Sequence, residues 1–220
     1  YRNSYDSYLL DLLIYSFAVN FCSGVIYQSK WSYLKNIEKE KKLVNLPSRI
    51  IYNGSETLNC LKKRKEICLY MANSNNKFKG FETFKKLAEQ SSKIESLRNL
   101  QFYAIGNIPK QNNKLININY LGSLSKKKLS EFMQICKYYI HPSIYEACSN
   151  ALIESINHGL IPLVFNGSSN IEIVKDNRLQ FNNIQELLLN LEKIHRAKDF
   201  IPTDFEIKKL KIEDSAKEYL

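Results

Sequence analysis

The chain of 220 residues is 44% hydrophobic and 25% charged, which is enough apolar material for one large domain or one domain with appendages. Its 32 basic residues outweigh 22 acidic ones, and the net charge of +10 suits anionic partners such as nucleotides or lipid headgroups, although solvated lysine-rich helix faces account for it equally well. Five cysteines without a C-x-x-C pair exclude a disulfide framework and a zinc site and point to a reducing, cytoplasmic compartment, and no RNP or zinc-finger pattern supports nucleic acid as a partner.

The chain opens on Tyr1-Arg2-Asn3 with neither methionine nor a targeting pattern, and so reads as a fragment of something longer. Tyr8 to Val19 is apolar, but it is interrupted by Asp11 and falls short of the roughly 20 residues a membrane span needs. It fits a helix packed on another domain, with attachment to a membrane surface as the lesser option. Gly24 to Tyr27 is strand-like, Ser29 caps a helix rich in Lys and Glu, and Arg49 to Tyr52 is strand-like before the Asn53-Gly54 turn. The basic run Lys62 to Lys65 reads as a solvated linker leading into a strand over Glu66 to Ala72. After a polar loop, Phe81, Phe84, Leu87 and Ala88 share one helix face.

Leu100 to Gly106 is a second strand, and the absence of G-x-G-x-x-G disfavours a nicotinamide dinucleotide. A polar loop over Pro109 to Asn113 leads into a strand over Ile116 to Gly122. Ser125 then caps a helix with Leu129, Phe132, Met133 and Cys136 on its inner side. Tyr138 to Ile140 is a strand stopped by Pro142, and Ser143 to Ala147 is the loop at its carboxyl end. Ser149 or Asn150 caps the next helix, Gly159 ends it, and Leu160 to Phe165 is a buried strand. Asn166 to Asn170 is a loop, Arg178 to Phe181 a short strand, and Ile184 to Ala197 a helix. His141 and His158 read as satisfying local backbone, His195 sits on a late helix, and no histidine–carboxylate cluster suggests a metal. The strand–helix alternation by itself predicts an α/β, doubly wound, mainly parallel sheet of Rossmann-like type.

Within His141 to Val164 (HPSIYEACSNALIESINHGLIPLV), Glu146 and Glu154 are separated by seven residues. The run resembles P-S-x-x-E-G-F-S-N-x-x-I-E-A-x-x-x-G-x-P-V-V, the signature of retaining glycosyltransferases with the GT-B fold, family 4 in particular. "I-Y-N-G" at residues 51–54 and "K-G" at Lys79-Gly80 are similar to further phrases of that family.

The resemblance implies residues 1–54 as the tail of an acceptor-side domain plus hinge, 55–204 as the nucleotide-sugar-binding domain, and 205–220 as a helix crossing back. It implies that Lys79 and Gly80 receive the donor diphosphate, with Gly106-Asn107 and the amides of Ser149, Asn150 and Ala151 close by. Glu154 would accept from the ribose, and Glu146 would act at the sugar as nucleophile, electrostatic stabiliser or holder. The family's second loop cation, an arginine, is replaced, with Asn73 near its place. No cofactor is implied beyond the nucleotide-diphosphate sugar itself. The partners would be that donor, a sugar or lipid-linked acceptor and a chain carrying the acceptor domain, with peripheral contact at the inner membrane face allowed. The rival readings are a non-catalytic nucleotide- or sugar-binding module and a basic adaptor for membrane or nucleic acid.

Overall fold

The computed structural model describes residues 5–57, 63–72, 76–108, 118–197, 200 and 210–219. The amino-terminal part holds helix α1 (Tyr5–Phe21), strand β1 (Val25–Tyr27), helix α2 (Lys30–Lys39) and strand β2 (Ser48–Ile50). β1 and β2 pair in parallel as a separate two-stranded sheet. The remainder alternates: β3 (Lys65–Met71), α3 (Phe81–Ser91), β4 (Gln101–Ile105), β5 (Ile118–Gly122), α4 (Lys126–Met133), β6 (Cys136–His141), α5 (Asn150–Asn157), β7 (Ile161–Phe165), α6 (Asn170–Ile173), β8 (Gln180–Phe181) and α7 (Ile184–Arg196). A helix α8 (Ile212–Tyr219) follows.

The larger sheet has the order β5-β4-β3-β6-β7-β8 with every pair parallel, the doubly wound arrangement expected from the alternation. Its middle strands are buried on both faces, with Ile67 to Tyr70, Tyr138 to Ile140 and Leu163-Val164 at 2% exposure or less. A parallel sheet needs this cover, because its crossovers place helices over both faces. Phe84 and Leu87 of α3, Leu152 and Ile153 of α5, and Leu187 and Leu191 of α7 supply it. Pro162 is tolerated inside β7 because β8 pairs only from Val164 onward, so the strand has a single neighbour at the proline.

Several local expectations are corrected. Cys136 opens β6 instead of closing the preceding helix: α4 ends at Met133, and the helical spacing runs on by coincidence into the turn. Arg178 and Leu179 form a tight 3-10 turn started by the Asp176 side chain, which leaves only Gln180 and Phe181 in the strand. Arg64 of the basic run is not a solvated linker residue. Its guanidinium donates to the carbonyls of Cys136 and His158, tying the start of β6 to the end of α5. Lys62, Asn73, Pro109 to Asn113, Ile116 and 205–209 of the expected final helix lie outside the described residues.

α1 has no apolar stripe but apolar side chains all round, and Leu13, Phe17 and Phe21 are 61–75% exposed. No helix among the described residues is long and apolar enough to cross a membrane.

Gly106 sits where β3 and β4 end together. Its φ is +116°, and a Cβ there would lie 1.9 Å from the Ala72 carbonyl oxygen, so glycine is required on both conformational and steric grounds. Gly106→Ala is expected to destabilise the fold by about 2–4 kcal/mol, read as a lower urea midpoint with an unchanged slope.

Candidate functional site

A cleft of about 490 Å³ opens at the carboxyl ends of β3, β4 and β6 and runs along the amino terminus of α5. Two turns meet across it. After β3, the Asn76 side chain caps a 3-10 turn over Lys77–Lys79, and Gly80 leaves that turn in the left-handed region. A Cβ on Gly80 would stand 2.4 Å from the Pro142 carbonyl oxygen, so this glycine is needed for packing and does not line the cleft. The turn is pinned to the loop after β6: Ile144 N–H and the Ser143 hydroxyl donate to the Phe78 carbonyl, and the Tyr70 hydroxyl donates to that of Lys79.

This docking sets Lys79 Nζ 2.6 Å from Glu146 Oε1, with the two side chains 35% and 12% exposed. Neither charge is fully hydrated, so removing one strands the other. His141, the last residue of β6, lies 3.9 Å from the same carboxylate oxygen. It lines the cleft and makes no local backbone bond, a correction to the sequence expectation; His158 does bond backbone, at the Glu154 carbonyl.

Burial pushes the His141 pKa down to about 4 against the raising effect of Glu146, so the ring is neutral near pH 7. Its Nδ1 is 3.1 Å from the Tyr139 hydroxyl, whose own pKa burial drives well upward. We assign the hydroxyl as donor to Nδ1, which leaves the ring proton on Nε2. Among the described residues Nε2 has no hydrogen-bond partner of its own, and Glu146 Oε1 lies 3.9 Å from it. Lys79 and His141 therefore converge on one oxygen of Glu146.

On the other wall, Ser149 caps α5 by accepting from Leu152 N, which decides between the two expected caps. Ser149, Asn150 and Ala151 line the cleft, where the helix end presents unpaired amides and a partial positive charge. Glu154, one turn further on, faces the same space, and burial raises its pKa while His158 and Lys126 oppose the rise. The structure thus brings together Lys79, Glu146, Ser149, Asn150, Ala151 and Glu154. Asn107 is exposed and does not line the cleft; its neighbour Gly106 does.

Two anchors of the site bond partners far along the chain that the sequence does not announce. The Glu172 carboxylate accepts from Lys30 N (2.9 Å), Trp31 N (2.6 Å) and the Tyr52 hydroxyl (2.5 Å), so α6 caps the start of α2. Asn53 Nδ2 donates to the Cys148 carbonyl and to Asn150 Oδ1, tying the 51–54 turn to the start of α5. Burial raises the Cys148 thiol pKa to about 11, which leaves it a packing group.

Residues 59–199 match the family model described as "Glycosyl transferases group 1". No curated sequence matches the chain. Among solved structures, a sucrose-phosphate synthase from Thermosynechococcus elongatus superposes with a TM-score of 0.73 at 13% identity, over 99% of this chain and 62% of the other. A Staphylococcus aureus TarM variant, solved with UDP among its ligands, gives 0.68 at 15% over 96% and 41%. Anabaena HepE with UDP and glucose gives 0.69 at 16% over 95% and 61%. At these identities the likeness is one of fold, and the chain spans less than two thirds of each of these proteins.

The neutral buried His141 ties stability to pH. Its pKa is lower folded (about 4) than unfolded (6.5), so its contribution is complete above pH 6.5 and falls away as pH drops towards 4. Between pH 7 and pH 4.5 this costs about 2–3 kcal/mol. His141→Gln is expected to remove that part of the slope, measured by urea unfolding at the two pH values.

Proposed function

The chain belongs to the group 1 glycosyl transferases, and on that premise we propose that it supplies the donor site for moving a hexosyl group, with retention, from a nucleotide-diphosphate sugar to an acceptor. The observation that carries the reading is the convergence of Lys79, Glu146, Glu154 and the α5 amino terminus on one cleft at strand carboxyl ends. During transfer the bond between the anomeric carbon and the diphosphate oxygen breaks, and negative charge grows on the leaving group. In this reading the Lys79 ammonium and the amides of Ser149, Asn150 and Ala151, which line the cleft, stabilise it.

The Glu154 carboxylate accepts from ribose hydroxyls, and Glu146 accepts from the donor sugar beside the reacting carbon. Lys79 is paired with Glu146, so an arriving diphosphate exchanges one anionic partner of that lysine for another. The acceptor hydroxyl attacks the anomeric carbon from the face the leaving group departs, and its proton passes to a diphosphate oxygen. The chemistry then needs no dedicated protein base. The exposed apolar side chains of α1 are the seat we assign to an acceptor-side domain, in the same polypeptide or a partner chain, with a membrane surface as the alternative occupant.

Binding without transfer is the competing reading. It draws on the missing loop arginine, whose place is taken by Asn73, outside the described residues. Calorimetric titration with UDP, GDP and ADP tests the donor site. We expect saturable binding of UDP, weakened about 10- to 100-fold by Lys79→Ala and by Glu154→Ala. Absence of binding by all three nucleotides overturns the reading. The anomeric configuration of the product, read by proton NMR, tests retention.

A further inference from the structure

A second cavity of about 240 Å³ lies between α1, α2 and the loop after β6, and Glu146 is the residue it shares with the first among the described residues. Its walls are aromatic. The Trp31 and Tyr145 rings touch each other, with centroids 5.9 Å apart and planes inclined at 56°, and together they form an angled aromatic platform lining the cavity. Tyr145 is held in place by Phe78, which meets it edge-on at 5.4 Å and 88°, and Tyr145 remains 37% exposed. Trp31 is set by its own backbone, whose N–H donates to Glu172. The rim is close to charge balance, because Lys35 pairs with Glu38 at 2.6 Å and Lys39 with Asp11 at 3.0 Å.

A transfer reaction needs two substrates whose reacting atoms meet. If the donor sugar lies in the first cleft against Glu146, a cavity ending on the same carboxylate is where the attacking hydroxyl enters. We propose that Trp31 and Tyr145 form an acceptor subsite that stacks one neutral pyranose ring and turns its hydroxyl towards Glu146. The proposal rests on the donor reading above. Aromatic faces set at an angle offer apolar contact to the C–H faces of a sugar ring, while its edge hydroxyls reach the lysine and carboxylate rim. The volume is below the roughly 300 Å³ of a drug-sized pocket, so it suits one ring rather than an oligosaccharide. A balanced rim favours a neutral sugar over an anionic one.

Trp31 is the single tryptophan of the chain, so its fluorescence reports on this cavity alone. The experiment titrates the chain with methyl glycosides of glucose, galactose and N-acetylglucosamine at about 1–100 mM, with and without UDP. We expect a saturable change in Trp31 emission with at least one glycoside. Tyr145→Ala should weaken it about five- to tenfold, and Tyr145→Phe should preserve it. No response to any glycoside while UDP still binds overturns the acceptor subsite and leaves the donor reading standing, as does a response that survives Tyr145→Ala. An intact, Tyr145-dependent glycoside response without nucleotide binding keeps the sugar subsite and overturns the donor reading instead. A response only to lipid vesicles overturns the subsite.

Discussion

The parallel pairing of β3 with β6 is the constraint on which the rest depends. From β3 the chain works outward through β4 to β5, then returns to the other side of β3 and works outward again through β7 to β8. The connections leaving the two central strands therefore diverge, and a crevice must open between them at the carboxyl ends. Lys79 comes from the first of those connections and Glu146 from the second. Their 2.6 Å contact follows from the strand order, not from nearness in the chain. Gly80 and Gly106 serve the same geometry, because each lets one connection press against the backbone of a neighbour.

A second level of organisation joins the amino-terminal part to this sheet, and it is polar. Glu172 holds the first amides of α2 together with the Tyr52 hydroxyl, while Asn53 holds the loop that leads into α5. The element that carries Trp31 is thereby registered against the element that carries Glu146 by directional bonds. Apolar packing alone tolerates sliding; three hydrogen bonds to one carboxylate do not.

Much of this was legible in the residues. Strands buried on both faces read as short apolar runs, and Phe81, Phe84 and Leu87 declare a helix face by spacing alone. The glutamate-bearing run carried its own cap, glycine and prolines in order, so its strand–loop–helix–strand form was readable. What failed was non-local or coincidental. Cys136 kept the helical period past the end of its helix, and the Asp176 side chain turned Arg178 and Leu179 away from the strand. Arg64 looked like part of a charge run, because its two carbonyl partners lie 72 and 94 residues away. His141 and Glu146 are only five residues apart, yet no spacing rule announces that the loop after β6 turns the carboxylate back to 3.9 Å from the ring nitrogen. Asn107 stands beside a glycine that does reach the cleft, yet its own side chain points elsewhere.

The reach of Glu172 bears on how the molecule is made. The carboxylate that receives the Lys30 and Trp31 amides lies 142 and 141 residues downstream of them. During synthesis α2 has only Ser29 to cap it until nearly the whole doubly wound sheet has left the ribosome, since α6 follows β7. At about 5–20 residues per second that interval lasts several seconds or more. The junction that carries Trp31 is thus completed late, after the strands that form the cleft have been supplied.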